Sequence, residues 1–238
     1  MFDPRGPSLM EMARQALSST DRGYDLLAPK FEYSPFRTPD EVLKPAMEAV
    51  GGRRSIDRAL DMCCGNGVVA RQLRSKCRRS VTGIDRSRGM IDEASTYLQG
   101  APGSAKIHLR CGDVLEMDYR QRFDVATTFG SFGHILKPQQ DRFARRVYRA
   151  LKPGGRFIFV TSPMPSILSP RRWAYRVFNG LMHLRNAVLK PPFIMFYLTF
   201  TLERAREVLR RHGFELEVRR PYRDTIYPWL RLVIAHRS

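Results

Sequence analysis

"ALDMCCGNGVV", residues 59–69, sets one acid, two adjacent cysteines and two glycines at the end of an apolar run. A turn built this way holds something: a phosphate, a metal ion or a positively charged group. "RALDM" (58–62) is short and apolar and runs into glycine, which predicts a buried strand. Asn66 to Lys76 has apolar residues at 68, 69, 70 and 73, which predicts a helix leaving the turn.

The same alternation continues outward. "SVTGI" (80–84), "KIHLRC" (106–111), "FDVATTF" (123–129) and "GRFIFVTS" (155–162) read as strands. "SRGMIDEASTYL" (87–98) reads as a helix with a serine cap, and "QQDRFARRVYRAL" (139–151) as a helix with Phe143, Val147 and Leu151 on one face. Strands alternating with helices predict an α/β fold, a doubly wound, mostly parallel sheet with helices on both faces. The alternation pauses over 163–200. It resumes with a helix (202–213), a strand (214–220) and a last apolar run (225–236), whose closeness predicts a hairpin with an antiparallel member. Upstream, residues 1–50 read as helical, interrupted at Pro29, Pro35 and Pro39, with a short helix from Leu43 to Val50.

The turn itself discriminates among ligands. Gly65-Asn66-Gly67-Val68-Val69-Ala70 fits the dinucleotide pattern G-x-G-x-x-G/A, and Asp85 follows 18 residues after Gly67. Asp61 opposes that reading, because a carboxylate four residues before Gly65 would repel a pyrophosphate and attract an ammonium or sulfonium. Asp85 ends the second strand, where an acid accepts both hydroxyls of a ribose. Asp113 ends the third, where it caps a turn or accepts from an adenine amino group. Three acids at three successive strand ends favour an adenosine-containing, positively charged ligand. The four cysteines, Cys63, Cys64, Cys77 and Cys111, form no C-x-x-C pair. Buried reduced thiols and no metal site are therefore expected.

"LDMCCGNGVVARQL", "VTGIDRSRGMIDEA", "CGDVLEM", "FDVATTFGSFGHIL" and "LKPGGRFIF", in this order and spacing, resemble the class I S-adenosylmethionine-dependent methyltransferases. The resemblance runs from about residue 56 to 162 and more loosely through 202–236. It implies a Rossmann-like seven-stranded sheet with a helical lid inserted after the fifth strand. As one methyltransferase domain, the chain would divide into a helical N-terminal cap (1–52), a cofactor-binding core (53–162), the lid (163–200) and a C-terminal helix and hairpin (201–238). The cofactor would be S-adenosylmethionine, leaving as S-adenosylhomocysteine. Asp61, Cys63, Gly65, Asn66 and Gly67 would face its methionine end, and Asp85 and Arg86 its ribose. Met90 would pack on the adenine, and Gly112, Asp113 and Val114 would read its edge. Phe129 and Gly130 would line the methyl-donor site. The family usually has glycine at the position of Cys63, and a cysteine fits there if its backbone avoids the left-handed region.

Methyl transfer from a sulfonium needs an aligned nucleophile, dry surroundings and, for an alcohol or phenol, a base. His134, after the fourth strand, and Tyr24, in the N-terminal cap, are the candidate catalytic residues. Tyr33 and His183 are weaker candidates, and Glu116 and Asp118 read as turn and surface residues. The acceptor should be shaped by 163–200, where Trp173, Val177, Leu181, Leu184 and Val188 form one helical stripe. Three uses of it stay open: packing on the sheet, a greasy pocket with Tyr175, Phe178, Met182, Phe193, Met195, Phe196 and Tyr197, or contact with an anionic membrane.

Charge bears on the partner. The net charge is +18. Residues 151–200 carry 7 basic and no acidic side chains, whereas residues 1–50 carry 6 basic and 8 acidic. Only 7 of the 41 basic residues are Lys, an Arg bias that base composition alone can produce. The expected substrate is a small, largely hydrophobic or lipid-like molecule. RNA methylation is the alternative that charge favours, and a non-catalytic methyltransferase-like binding protein is a second. No signal peptide or membrane span is legible, which predicts a cytoplasmic protein, with peripheral contact at the inner membrane surface as a further expectation.

Overall fold

The computed structural model describes residues 3–238. Two short helices open it, α1 (Leu9–Leu17) and α2 (Thr20–Leu27), each started by a serine side chain that accepts a backbone N–H of the first turn, Ser8 from Glu11 and Ser19 from Arg22. A 3-10 turn (Ala28–Tyr33) and α3 (Asp40–Val50) follow, and Gly51 ends α3 at φ +118°. The order then runs β1 (Ile56–Met62), α4 (Val68–Lys76), β2 (Cys77–Asp85), α5 (Arg88–Tyr97), β3 (Lys106–Cys111), β4 (Phe123–Thr128), α6 (Gln140–Ala150) and β5 (Leu151–Thr161). After β5 come α7 (Pro170–Val188), α8 (Leu202–Arg211), β6 (Phe214–Arg219) and β7 (Arg231–Arg237).

The strands form one seven-stranded sheet in the order β3-β2-β1-β4-β5-β7-β6. All neighbours are parallel except at β7, which runs antiparallel to both β5 and β6. The doubly wound sheet and its terminal hairpin are thus as the sequence predicts. The final strand is shorter than expected. Residues 225–230 turn instead, with Leu230 N–H donating to Tyr227 O, and Pro228 has no N–H to give a ladder. Helix α4 also starts two residues late, at Val68, because Gly67 at φ +87° is its left-handed cap.

Helices α3, α4 and α5 cover one face of the sheet, and α6 and α8 the other. The strands between them are buried on both sides, as parallel strands must be. The strand order reverses between β1 and β4, so the C-terminal ends of these two strands flank the crevice where ligands of such sheets bind.

Helix α7 departs from this packing. Its buried side is held by Met182 with Phe193 and Phe196, joined by Phe178, Ile194 and Tyr24. The stripe expected to pack on the sheet faces outward: Trp173 is 54% exposed, Leu184 63% and Val188 73%. The positions that do face inward carry the larger interlocking side chains and Asn186, whose amide bonds the backbone of Phe193 twice.

Candidate active site

One cavity opens at the C-terminal ends of β1, β2 and β4, under the N-terminal cap. Asp61 is the last residue but one of β1 and sits in register with Thr127 of β4. The Thr127 hydroxyl donates to its Oδ1 at 3.0 Å. Its Oδ2 is buried without any partner, although Asp61 lines the cavity and is only 2% exposed. Burial pushes its pKa up to about 7, Thr127 pulls it back, and Asp85 adds to the rise. An unpartnered buried carboxylate oxygen on a cavity-lining residue fits a cationic group.

Between β1 and α4 the chain passes through three left-handed residues: Cys63 at φ +54°, Gly65 at +51° and Gly67 at +87°. Cysteine in that region costs about 1–2 kcal/mol, so the condition under which a cysteine fits without strain at position 63 is not met. The strain is held by the surroundings. Its side chain packs against the core behind the turn, and the Cys64 N–H donates to Ile84 O at 3.0 Å. Burial, with Asp85 beside it, pushes the Cys63 thiol up, and burial does the same to Cys64. Neither is a nucleophile near neutral pH. Gly65 lines the cavity, while Gly67 faces away from it. A side chain on Gly67 would press at 3.1 Å on Ala94 of α5 and on Leu98, which caps that helix, so its smallness serves helix packing.

Asp85 is fixed by two amides, Gly65 N–H to Oδ2 at 2.9 Å and Ser87 N–H to Oδ1 at 3.0 Å. Each oxygen keeps a lone pair for the cavity. Burial raises its pKa against these bonds. Asp113 accepts the Leu115 N–H at 2.8 Å, so it caps its turn and lines the cavity at once. Arg86 lies between acids, 2.9 Å from Asp21 and 3.6 Å from Asp113. Met90, Val114, Phe129 and Gly130 also line the cavity. Gly112 does not; its N–H closes the neighbouring strand end onto Asp85 O.

The cap is bonded to this floor by acids the sequence did not single out. Asp25 accepts the Ser87 hydroxyl at 2.6 Å and the Gly89 N–H at 2.9 Å. Glu32 accepts the Asn66 amide at 2.9 Å. Asn66 therefore lines the cavity with its side chain already committed to the cap.

His134 and Tyr24 meet, 110 residues apart in the chain, with the Tyr24 hydroxyl 2.9 Å from His134 Nε2. The other ring nitrogen, Nδ1, bonds the Ile194 carbonyl. A carbonyl only accepts, so Nδ1 carries the proton, and Nε2 of the neutral ring accepts from Tyr24. Desolvation lowers the pKa of His134, which keeps it neutral at pH 7. Desolvation and Asp85 raise that of Tyr24. Phe36, Ile135, Leu136 and Ile194 give the same cavity an apolar wall unlike the acidic floor, and Leu136 and Ile194 pack in one cluster with Tyr24. Of these, Ile135 and Leu136 adjoin His134 in sequence and were within reach of a local reading. Phe36, Thr38 and Ile194 arrive only through the fold.

Other candidates fall outside. Tyr33 lies under the Arg5 guanidinium, and His183 stacks on Phe196. Glu116 and Asp118 are surface partners of Arg142, Arg146 and Arg149. The greasy-pocket reading of 163–200 is corrected: of that segment only Ile194 lines the cavity, because Phe178, Met182, Phe193 and Phe196 fill the joint beneath α7 and Tyr175 stacks on Tyr197.

The donor set fits S-adenosylmethionine on the structure's own terms: an unpartnered buried oxygen at Asp61 for an ammonium, a tethered carboxylate at Asp85 for a diol, and a glycine at 65 that leaves room for close approach. Comparison with known proteins agrees. Residues 59–155 match the methyltransferase domain family. A demethylmenaquinone methyltransferase of Lactobacillus johnsonii is 29% identical over 168 residues, covering 67% of this chain and 68% of that protein. The 27-O-demethylrifamycin SV methyltransferase of Amycolatopsis mediterranei is 32% identical over 153 residues, covering 58% and 56%. The matches thus span about half to two thirds of the length of these curated relatives. In fold, the structure of DhpI with S-adenosylhomocysteine superposes with a TM-score of 0.64 over 97% of this chain and 99% of that one, at 18% identity. The chain is thus similar to the methyltransferase domain family over residues 59–155, shares the fold of DhpI along nearly its whole length, and has a cavity whose residues fit S-adenosylmethionine.

Proposed function

We propose that this protein methylates a small, largely hydrophobic molecule. The observation that carries this reading is the contrast within one cavity: an acidic floor at Asp61, Asp85 and Asp113, and an apolar wall around the Tyr24–His134 pair. Relatives support it, since their names concern demethylmenaquinone, ubiquinone biosynthesis and a rifamycin, all small molecules.

When bound, S-adenosylmethionine supplies a methyl group already activated on a sulfonium. Asp61 Oδ2 would hold its ammonium and Asp85 its ribose hydroxyls. Asp113 and the Val114 backbone would hold the adenine edge, and Met90 its face. Phe129 and Gly130 would border the methyl group. For a hydroxyl-bearing acceptor, Tyr24 and His134 supply the base. The Tyr24 hydroxyl accepts the acceptor's proton as its own passes to His134 Nε2, while the Ile194 carbonyl keeps the ring oriented. The apolar wall aligns the acceptor and excludes water, which this chemistry chiefly requires. Segment 163–200 closes that wall through Ile194 and acts as the lid, with residues 1–52 as the cap.

The test uses radiolabelled methyl donor and purified protein in a lysate of the native host, with Asp85→Ala as control. The products are split into an organic extract and an acid-precipitated pellet. Label in the extract, absent with Asp85→Ala, is expected. Label in a nuclease-sensitive pellet would replace this reading with RNA methylation. His134→Gln should slow transfer by about 10²-fold or more while leaving S-adenosylhomocysteine affinity unchanged. An unaltered rate removes His134 from the chemistry.

A further inference from the structure

We propose that α7 is a membrane-docking helix that seats the mouth of the active site on an anionic phospholipid surface. This rests on the proposed hydrophobic acceptor for its purpose, since such a molecule resides in a bilayer, but not for its evidence.

Helix α7 turns an apolar face outward. Trp173, Ala174, Val177, Gly180, Leu181, Leu184, Ala187 and Val188 are all exposed. At 100° per residue these eight occupy one arc of about 140° that contains no polar side chain. The position of Gly180 confirms the aspect, since a Cβ built there would meet nothing within 4 Å. The arc runs from Trp173 to Val188 of this helix, a strip of about 24 Å. Met164, Ile167 and Leu168 are exposed just before it, and the Trp173 indole N–H donates to Ile167 O, which draws this apolar tip to the start of the strip.

The chemistry of the partner is given by charge. No Asp or Glu occurs between Asp141 and Glu203. Exposed Arg176 borders the arc with its guanidinium 5.3 Å from the Trp173 ring centroid, and exposed Lys190 stands at its far end. An apolar strip edged by cations and free of anions suits a lipid interface with negative headgroups. No helix among the described residues is long and apolar enough to cross a membrane, so α7 would lie along the surface.

The docking surface is bonded to the site. Arg185, at the inner edge of the strip, donates to Ala16 O and Ser18 O at the end of α1. Just beyond α7, the Ile194 N–H donates to Thr20 Oγ1 at 2.7 Å, and Ile194 O holds His134. Thr20, Ile194 and His134 all line the cavity. A bilayer under α7 would therefore lie within one loop of the apolar wall.

The test is vesicle binding. The chain has two tryptophans, so Trp229→Phe leaves Trp173 as the only indole reporter. We expect this protein to bind phosphatidylcholine–phosphatidylglycerol vesicles at least about tenfold more tightly than phosphatidylcholine alone. Trp173 emission should shift to the blue and be quenched by brominated lipid. Leu181→Glu/Leu184→Glu should lose the binding. Arg176→Glu/Lys190→Glu should lose the preference for the anionic lipid. S-Adenosylhomocysteine binding, measured in parallel, certifies that each variant is folded. Absent vesicle binding, an unmoved Trp173 emission, undiminished binding by the Leu181/Leu184 variant, or a stable dimer that buries Trp173 in solution would each overturn the proposal. Label transfer is measured separately, so the docking surface and the methylation reading fail independently.

Discussion

Helices α6 and α7 carry the same kind of sequence and use it in opposite ways. Both set apolar residues at helical spacing among arginines. In α6, Phe143, Ala144 and Val147 are wholly buried, and Arg142, Arg146 and Arg149 reach outward to Glu116 and Asp118. In α7 the regular stripe looks out and the less regular side looks in. The difference lies in what each meets. Helix α6 lies on β4 and β5, whose side chains need a lid of their own. Helix α7 follows the strand at which that face is already filled by α6 and α8, and packs instead on the loop 193–197, Tyr24 and the end of α1. An amphipathic pattern therefore states that a face will be covered, not what will cover it.

The contrast can be broken by mutation, most forcefully in α6. Phe143→Ala should remove about 3–5 kcal/mol of stability, seen as a large drop in the denaturant midpoint. A small drop would show that α6 is as loosely held as α7. The site itself should respond next. Asp85→Ala should weaken S-adenosylhomocysteine binding by more than about tenfold, since a hydrogen bond to a charged group contributes about 1.5–3 kcal/mol. Calorimetry measures it, and unchanged affinity would remove Asp85 from the site.

Asp61 provides the pH test. Its folded pKa is raised, so the folded apo protein binds more protons than the unfolded chain between the ordinary carboxylate range and about 7. Stability of the apo protein should therefore fall as pH rises through that window. Asp61→Asn should cancel this dependence and raise the apo Tm at pH 7.5, by ~2–4 °C for each kcal/mol regained. The ligand reverses the sign: an ammonium favours the carboxylate, so binding at pH 6.5 should release protons, read by calorimetry in two buffers of different ionisation enthalpy. No proton release would place the ammonium elsewhere. The smallest effect belongs to α7, where Leu184→Ala should change stability by no more than about 0.5 kcal/mol. A larger loss would mean that the exposed strip is packed after all.

The floor of the site was legible because its signal is local. Asp61, Asp85 and Asp113 end consecutive strands, and strand ends can be read from hydrophobic runs. Half of the wall was not legible, because Phe36 and Ile194, unlike Ile135 and Leu136, lie far from His134 along the chain and carry no pattern of their own. Tyr24 and His134 could each be nominated, but their pairing is a property of the cap's docking through Asp25 and Glu32. Cys63 shows a different limit. A positive φ is signalled by glycine, and where cysteine stands instead the sequence is silent until the turn is seen. The direction of the α7 stripe was hidden for the reason given above: periodicity defines a face without naming its neighbour.

The bonds from Arg185 to Ala16 and Ser18, and from Ile194 to Thr20, also bear on the order of events during synthesis. Helices α1 and α2 have 9 and 8 residues, too few to hold helical shape alone in water. They leave the ribosome long before residues 185–194, yet several of their fastenings come from that segment, with Phe193 stacked on Tyr24. Tyr24 is thus made well before the residues that set it in place.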